Sequence, residues 1–157
     1  MIRTAVPDDV PVLLDLIAEL AEYEGAPHEA KATPAQLHEA LFGPYPAAFA
    51  HVAVDDQTGE AVGMAVWFLN YSTWDGVHGI YLEDLYVRPA ARGRGHGRAL
   101  LRTLAGLCVE RGYTRLQWWV LNWNEPAITF YRGLGAKPMS DWTVYRVDGD
   151  ALAALGA

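Results

Sequence analysis

The chain is 157 residues long, 52% hydrophobic and 20% charged, with a formal net charge of −7. That size and balance fit one folded globular domain rather than a disordered or fibrous chain, and a single cysteine excludes an internal disulfide framework. No apolar run approaches the roughly 20 residues that span a bilayer, and the acidic total argues against a nucleic-acid binder, which needs a broad basic face.

Residues 1–4 lack the basic segment and apolar stretch of a secretory signal, so the cytoplasm is the expected compartment. Residues 2–6 predict a strand. Val12, Leu13, Leu16, Ile17 and Leu20 recur at helical spacing and predict a helix over 9–23, capped by Asp8 or Asp9. Residues 25–32 read as a loop. Thr33 and Pro34 are a cap and a first-turn proline, opening a second helix that closes near Phe42 and Gly43. Strands over 48–54 and 61–70 flank the turn Asp55-Asp56-Gln57-Thr58-Gly59 and predict a hairpin.

A further strand is expected over 78–87. A helix over 96–111 follows from Leu100, Leu101, Leu104, Leu107 and Cys108, which share one face and make Cys108 a core residue. Next come a strand over 115–121 and a helix from Asn124, with Gly135 just past its end. Residues 137–140 and 143–147 predict the last two strands, and Asp148 can cap a short tail helix. Strands interleaved with helices imply a mixed α/β sheet with helices on its faces, in one domain spanning 1–157.

Charge is unevenly distributed. Residues 1–60 carry eleven acidic side chains against Arg3 and Lys31, a net of −9. Residues 61–157 carry eight acidic and ten basic, a net of +2. Five of the twelve basic residues, Arg88, Arg92, Arg94, Arg98 and Arg102, fall within fifteen positions. One concentrated basic segment in an acidic chain suits a compact polyanion, and the acidic N-terminal part would attract a cation.

The basic segment contains Arg92-Gly93-Arg94-Gly95-His96-Gly97, between an apolar strand and a leucine-rich helix. Glycines there let backbone N–H groups turn toward a ligand, and a helix N-terminus favours an anion. Phosphate or pyrophosphate is the implied ligand. The P-loop pattern fails because Arg98-Ala99 stands where Lys-Ser/Thr is needed, and the dinucleotide pattern fails because Arg98 takes its third glycine. What remains is R-x-x-G-x-G, read as Arg92, Gly95 and Gly97.

That pattern resembles the acetyl-CoA pyrophosphate loop of the GNAT superfamily of N-acetyltransferases. The preceding Tyr81-Leu82-Glu83-Asp84-Leu85-Tyr86-Val87-Arg88-Pro89 is similar to the family's fourth strand and its exit. Downstream, Asn122-Trp123-Asn124-Glu125-Pro126-Ala127-Ile128-Thr129-Phe130-Tyr131 with Leu134-Gly135-Ala136 resembles its second motif. Tyr81 to Val87, Trp123 to Ile128 and Asn70 to Gly76 are most similar to the diamine acetyltransferase branch, which includes the spermidine/spermine and thialysine enzymes. The resemblance runs from Ile2 to about Val147. It implies a mixed, mostly antiparallel sheet of about seven strands with helices on both faces. It also implies acetyl-CoA as donor, direct transfer in a ternary complex, a small cationic amine as acceptor and a homodimer.

Carried over residue by residue, the resemblance assigns acetyl-CoA binding to the backbone of Leu85, Tyr86 and Val87, which would hold the thioester carbonyl. The pyrophosphate falls to Arg92, Gly93, Arg94, Gly95, His96, Gly97 and Arg98, where the His96 backbone N–H matters more than its ring. Asn124 would contact coenzyme A while also capping its helix. Tyr131 would be the general acid toward the coenzyme A sulfur, since a phenol with a pKa of about 10 stays protonated at neutral pH. Glu83 would accept the amine proton and hold the cation.

Glu83 and Asp84 are neighbours in a strand, so strict alternation sends them to opposite faces and denies them a carboxylate pair. Asp84 is then a polar satisfier or a second substrate contact. Trp142 and Trp74 are candidate faces for an ammonium group, and Tyr23, Glu24 and His28 lie where the family recognises acceptor. The five histidines show no metal spacing, so no metal is expected, and Ser72 has no nucleophile motif around it. Two further readings are an amino acid, aminoglycoside or protein amine as acceptor, and an acyl-CoA-binding protein without turnover.

Overall fold

The computed structural model describes all residues, 1–157. The chain forms two compact units, Met1–Trp119 and Val120–Ala157. In the first, β1 (Ile2–Thr4), β2 (Phe49–Val54), β3 (Ala61–Ser72), β4 (Val77–Val87) and β5 (Leu116–Gln117) form one sheet in that order. The first three pairings are antiparallel and β4–β5 is parallel. Helices α1 (Val10–Tyr23) and α2 (Pro34–Phe42) lie between β1 and β2, and α3 (His96–Arg111) links β4 to β5.

Strand alternation sorts the core. Val52, Val54, Met64, Val66 and Tyr86 are buried with Leu13 and Leu16 of α1 and Leu37 and Leu41 of α2. The alternate strand positions Ala53, Ala65, Ile80 and Leu82 are buried as well, on the side where α3 packs with Leu100, Leu101, Leu104 and Cys108 inward. Each such leucine contributes about 1.5–3 kcal/mol on burial. Within the sheet, His51 and Trp67 are both buried; the indole Nε1 donates to His51 Nδ1 at 3.1 Å.

Local signals behave unequally. Thr33 and Gln36 exchange the reciprocal bonds of a capping box at α2, at 3.2 and 2.9 Å. Asp9 precedes α1 but does not cap it. Its carboxylate accepts both Arg3 Nη groups at 2.6 and 2.9 Å and the Val6 N–H at 2.8 Å. The charged fork outcompetes a neutral helix donor.

The second unit holds α4 (Glu125–Gly133) and α5 (Gly149–Leu155). Gly135, at φ +85°, follows α4, with Ala136 N–H bonding back to Tyr131 O at 3.2 Å. Asp148 stands before α5 without a side-chain capping bond.

The sheet has five strands, not about seven. Residues 137–140 and 143–147 form no ladder, and Val144 and Tyr145 are 57% and 92% exposed. Alternating polarity says which face a strand would bury, but a strand also needs an edge to pair with, and Pro138 offers no N–H. The strand expected over 115–121 is likewise only Leu116–Gln117, because β4 pairs with it only at Ile80 and Tyr81.

Candidate functional site

The glycine loop is built by backbone conformation. After β4 ends at Val87, Pro89–Ala91 makes one 3-10 turn and α3 begins at His96. Gly93 and Gly95 between them hold φ of +78° and +84°, a region that side-chain-bearing residues rarely adopt. A Cβ on either would meet no atom within 4 Å, so the requirement is conformational rather than steric. Gly95 is the N-cap of the 16-residue α3 and offers no side chain to its first turn. The first bond back comes from Ala99 N–H to Gly95 O at 2.9 Å. Ahead of it, the N–H groups of His96, Gly97 and Arg98 lie in the orphan first turn, where the helix dipole favours an anion.

The arginines around the loop play different parts. Arg88 pairs with Glu19 of α1 at 2.9 Å and donates to Ala61 O at 3.3 Å. Arg94 pairs at 2.7 Å with Asp55, which also accepts from Gln57 N–H at 2.8 Å and Thr58 N–H at 3.3 Å. Arg92 donates through Nε to Val87 O at 2.9 Å, its guanidinium over the rings of Tyr23 and Tyr86. Arg98 is exposed on the first turn of α3. The free donors of the loop are therefore backbone N–H groups, while Arg92 and Arg94 turn to Val87 O, the two tyrosine rings and Asp55.

β4 supplies the second element. Its pairing with β5 ends at Tyr81, so the edge of Leu85, Tyr86 and Val87 away from β3 has no ladder partner in the sheet.

The third element corrects the strict alternation expected for Glu83 and Asp84. Trp67 of β3 pairs with Leu82, but the next residue, Val66, pairs with Asp84. Glu83 is the extra residue of a β-bulge. Paired residues share a face, so Asp84 and Tyr86 turn to the side of Met64 and Val66, and Leu82 keeps the other. Glu83 is exposed and Asp84 half-buried, yet the two carboxylates feel one another. Burial first, then the charges of Glu83 and Glu24, push the Asp84 carboxyl up to about 6. Glu24, directly after α1, is itself raised by burial. Glu24, from the end of α1, and Glu83, at the bulge, thus act with Asp84 as a patch of three interacting carboxylates.

Tyr81 belongs to the same face and was not foreseen. Its ring lies 4.9 Å from Phe68 and 5.8 Å from Trp119, and burial with the charges of Glu83 and Asp84 pushes its phenol up to about 12. An aromatic two positions before a carboxylate in an apolar strand was the available signal. Asp55, the partner of Arg94, was also missed; its turn sequence announced only a hairpin.

In the second unit, Asn124 caps α4, accepting from Ala127 N–H at 3.3 Å. Tyr131 lies on α4, its ring 5.5 Å from that of Phe130. Trp142 sits in irregular chain, 68% exposed. Back in the first unit, Trp74 is 87% exposed in the β3–β4 turn, and His28 lies beside Glu29 at 3.3 Å. No group of three or more histidine, cysteine, aspartate or glutamate side chains has the arrangement of a metal site, and no helix is long and apolar enough to cross a membrane.

Comparison with known proteins follows the same lines. The acetyltransferase (GNAT) family model matches residues 13–136. Thialysine N-epsilon-acetyltransferase of Bos taurus is 36% identical over 166 residues, covering 99% of this chain and 96% of the relative. L-ornithine N5-acetyltransferase NATA1 of Arabidopsis thaliana is 29% identical over 197 residues, covering 98% and 86%. Among solved structures, the integron cassette protein VCH_CASS6 from the mobile metagenome of V. cholerae superposes with a TM-score of 0.82 at 25% identity, covering 99% of this chain and 96% of its own.

Proposed function

The chain belongs to the GNAT acetyltransferase family, and from that premise we propose that it moves the acetyl group of acetyl-CoA directly onto a primary amine of a small cationic acceptor. A diamine, polyamine or thialysine-like amino acid is the acceptor class. The observation that carries the reading is the pairing, at the two ends of one stretch of β4, of an anion-binding loop with a carboxylate patch. A polyanionic donor and a cationic acceptor need that combination. The thialysine and ornithine enzymes among the relatives support the acceptor class, since both names describe amines carried on charged amino acids.

The chemistry divides among named groups. The pyrophosphate sits on the loop from Arg92 to Arg98, with Asn124 as a further coenzyme A contact. Backbone N–H groups of Leu85 to Val87 polarise the thioester carbonyl and take up its developing negative charge. The acceptor arrives as an ammonium ion, held by Glu83, Asp84 and Glu24 with Tyr23, and the family resemblance adds Trp142 as an acceptor contact. Glu83 accepts the proton that frees the amine lone pair. The amine attacks the carbonyl carbon, the C–S bond breaks, Tyr131 gives its proton to the departing thiolate, and the second amine proton, shed as the amide forms, restores the phenol. Residues 1–157 act as a single N-acetyltransferase domain, a reading supported by a family match that runs through residues 119 and 120 without a break. A homodimer in the cytoplasm belongs to the same proposal, and light scattering of the purified protein checks the stoichiometry.

The test is coenzyme A release from acetyl-CoA with spermidine, putrescine, thialysine, ornithine, lysine and an aminoglycoside in parallel. Saturable release with a diamine, polyamine or thialysine-like amino acid is expected. Release with the aminoglycoside alone would reassign the acceptor, and tight acetyl-CoA binding with no turnover on any amine would leave a binding protein. Tyr131→Phe should lower kcat by about a hundredfold or more while coenzyme A still binds; full turnover in that variant removes Tyr131 from the acid role.

A further inference from the structure

Arg92 opens the glycine loop, yet its side chain is not extended toward an incoming anion. Nε donates to Val87 O at 2.9 Å. The guanidinium carbon lies 5.1 Å from the ring centroid of Tyr23 and 5.6 Å from that of Tyr86. One planar cation therefore touches the last residue of α1, a buried ring of β4 and the last carbonyl of β4. Such stacking is worth roughly 0.5–2 kcal/mol per ring.

The connections on either side give this contact its meaning. Residue 93 is the first glycine of the anion loop, and residue 24 is the carboxylate whose charge acts on Asp84. Arg92 and Tyr23 are thus the immediate neighbours of the two half-sites, and they are in contact with each other. Glu19, one turn earlier in α1, pairs with Arg88 at 2.9 Å, so the end of α1 is tied to the exit of β4 through Arg88 as well as through Arg92. Beyond Tyr23 the chain has only one 3-10 turn, Pro27–Glu29, before α2. The conformation of the acidic segment is therefore set largely where α1 ends.

We propose that Arg92 is a positioning residue that couples donor and acceptor binding, rather than a direct phosphate ligand. An anion on the backbone donors of 96–98 restrains the loop, and through Arg92 it restrains Tyr23 and the segment carrying Glu24. Ordering paid once for the first ligand is spared for the second, so each tightens the other, and by thermodynamic linkage the factor is the same in both directions. The inference rests on the acetyl-CoA reading above and adds to it a residue role and a cooperative binding order.

Amide hydrogen exchange with coenzyme A alone as probe tests the idea without knowledge of the acceptor. In the wild type, coenzyme A should slow exchange both at 93–98 and at 20–30. In Arg92→Met, which keeps the apolar stem, saturating coenzyme A should still protect 93–98 but leave 20–30 at the free-protein rate. Tyr23→Leu should give the same split from the other side. Calorimetry adds the thermodynamic half: a saturating amine acceptor should tighten coenzyme A binding about fivefold or more in the wild type, and by nothing in either variant. Arg92→Lys, which keeps charge but loses the Nε bond to Val87 O, should recover part of that factor. Equal protection at 20–30 in wild type and Arg92→Met overturns the coupling, and so does coenzyme A binding that protects only 93–98 in the wild type. No binding of coenzyme A by the wild type overturns the donor reading instead.

Discussion

The loop after β4 and the carboxylate patch within it are a few residues apart and are built in opposite ways. The loop is local: two glycines at positive φ deliver the first turn of α3, with the neighbouring arginines bonded to Val87 O and Asp55. The patch is assembled over distance, with Glu24 from the end of α1 and Glu83 and Asp84 from a bulge that exists only in the register between β3 and β4. One half-site uses backbone donors, which any phosphate accepts equally well. The other uses side chains whose charge states depend on one another. On the proposed reading, the first construction serves a common donor and the second sets acceptor choice.

The sharpest way to break that contrast is to disturb the loop backbone. Gly95→Ala adds one methyl group that touches nothing, yet it forces an L-residue to hold φ near +84°, at about 1–2 kcal/mol. Coenzyme A affinity, measured by calorimetry, should fall about tenfold, with acceptor KM little changed. Unaltered affinity would mean that side chains, not backbone donors, hold the anion.

How much of each half was readable follows from the same contrast. The loop and α3 were legible because their signals are contiguous: R-x-x-G-x-G in six residues, then leucines at helical spacing. The box at Thr33 and the cap at Asn124 were legible for the same reason. The bulge was not, since Leu82-Glu83-Asp84-Leu85 contains nothing to say that β3 will advance one residue while β4 advances two. Strict alternation therefore denied Glu83 and Asp84 an interaction that the bulge allows. Asp9 failed as a cap because Arg3, six residues away in sequence, reached it first. The last two expected strands had the right pattern but form no ladder, and pattern says nothing about whether an edge is present.

A smaller effect probes the patch through pH. The Asp84 carboxyl, pushed up to about 6 by burial and by Glu83 and Glu24, compares with about 4 in an unfolded chain. Between those values the folded state keeps a proton that the unfolded state has released. Stability therefore falls as pH rises through this window and levels off above about 6. Asp84→Asn removes the penalty: the variant should be more stable than wild type at pH 8 by on the order of 1–2 kcal/mol and equal to it near pH 4. Thermal unfolding across pH 4–8 measures this. Its acceptor KM should rise about fivefold as one carboxylate is lost to the cation, with coenzyme A affinity preserved. A stability difference that does not vary with pH would separate Asp84 from the patch.

The smallest change tests the loop's indifference to side-chain charge. Asp55 is buried, and the Gln57 N–H, followed by Thr58 N–H and the positive charges of Arg94 and His96, holds its carboxyl below the usual range. Asp55→Asn can still accept from the turn but no longer neutralises Arg94 beside the anion loop. With the glycine geometry untouched, coenzyme A affinity should rise by less than about threefold at low salt, and the gain should vanish near 1 M salt, where a unit charge is screened within about 3 Å. A tenfold loss would instead make the Arg94–Asp55 pair part of what shapes the loop. The two half-sites would then share one principle of construction, long-range side-chain support, and the contrast between them would reduce to the charge of their ligands.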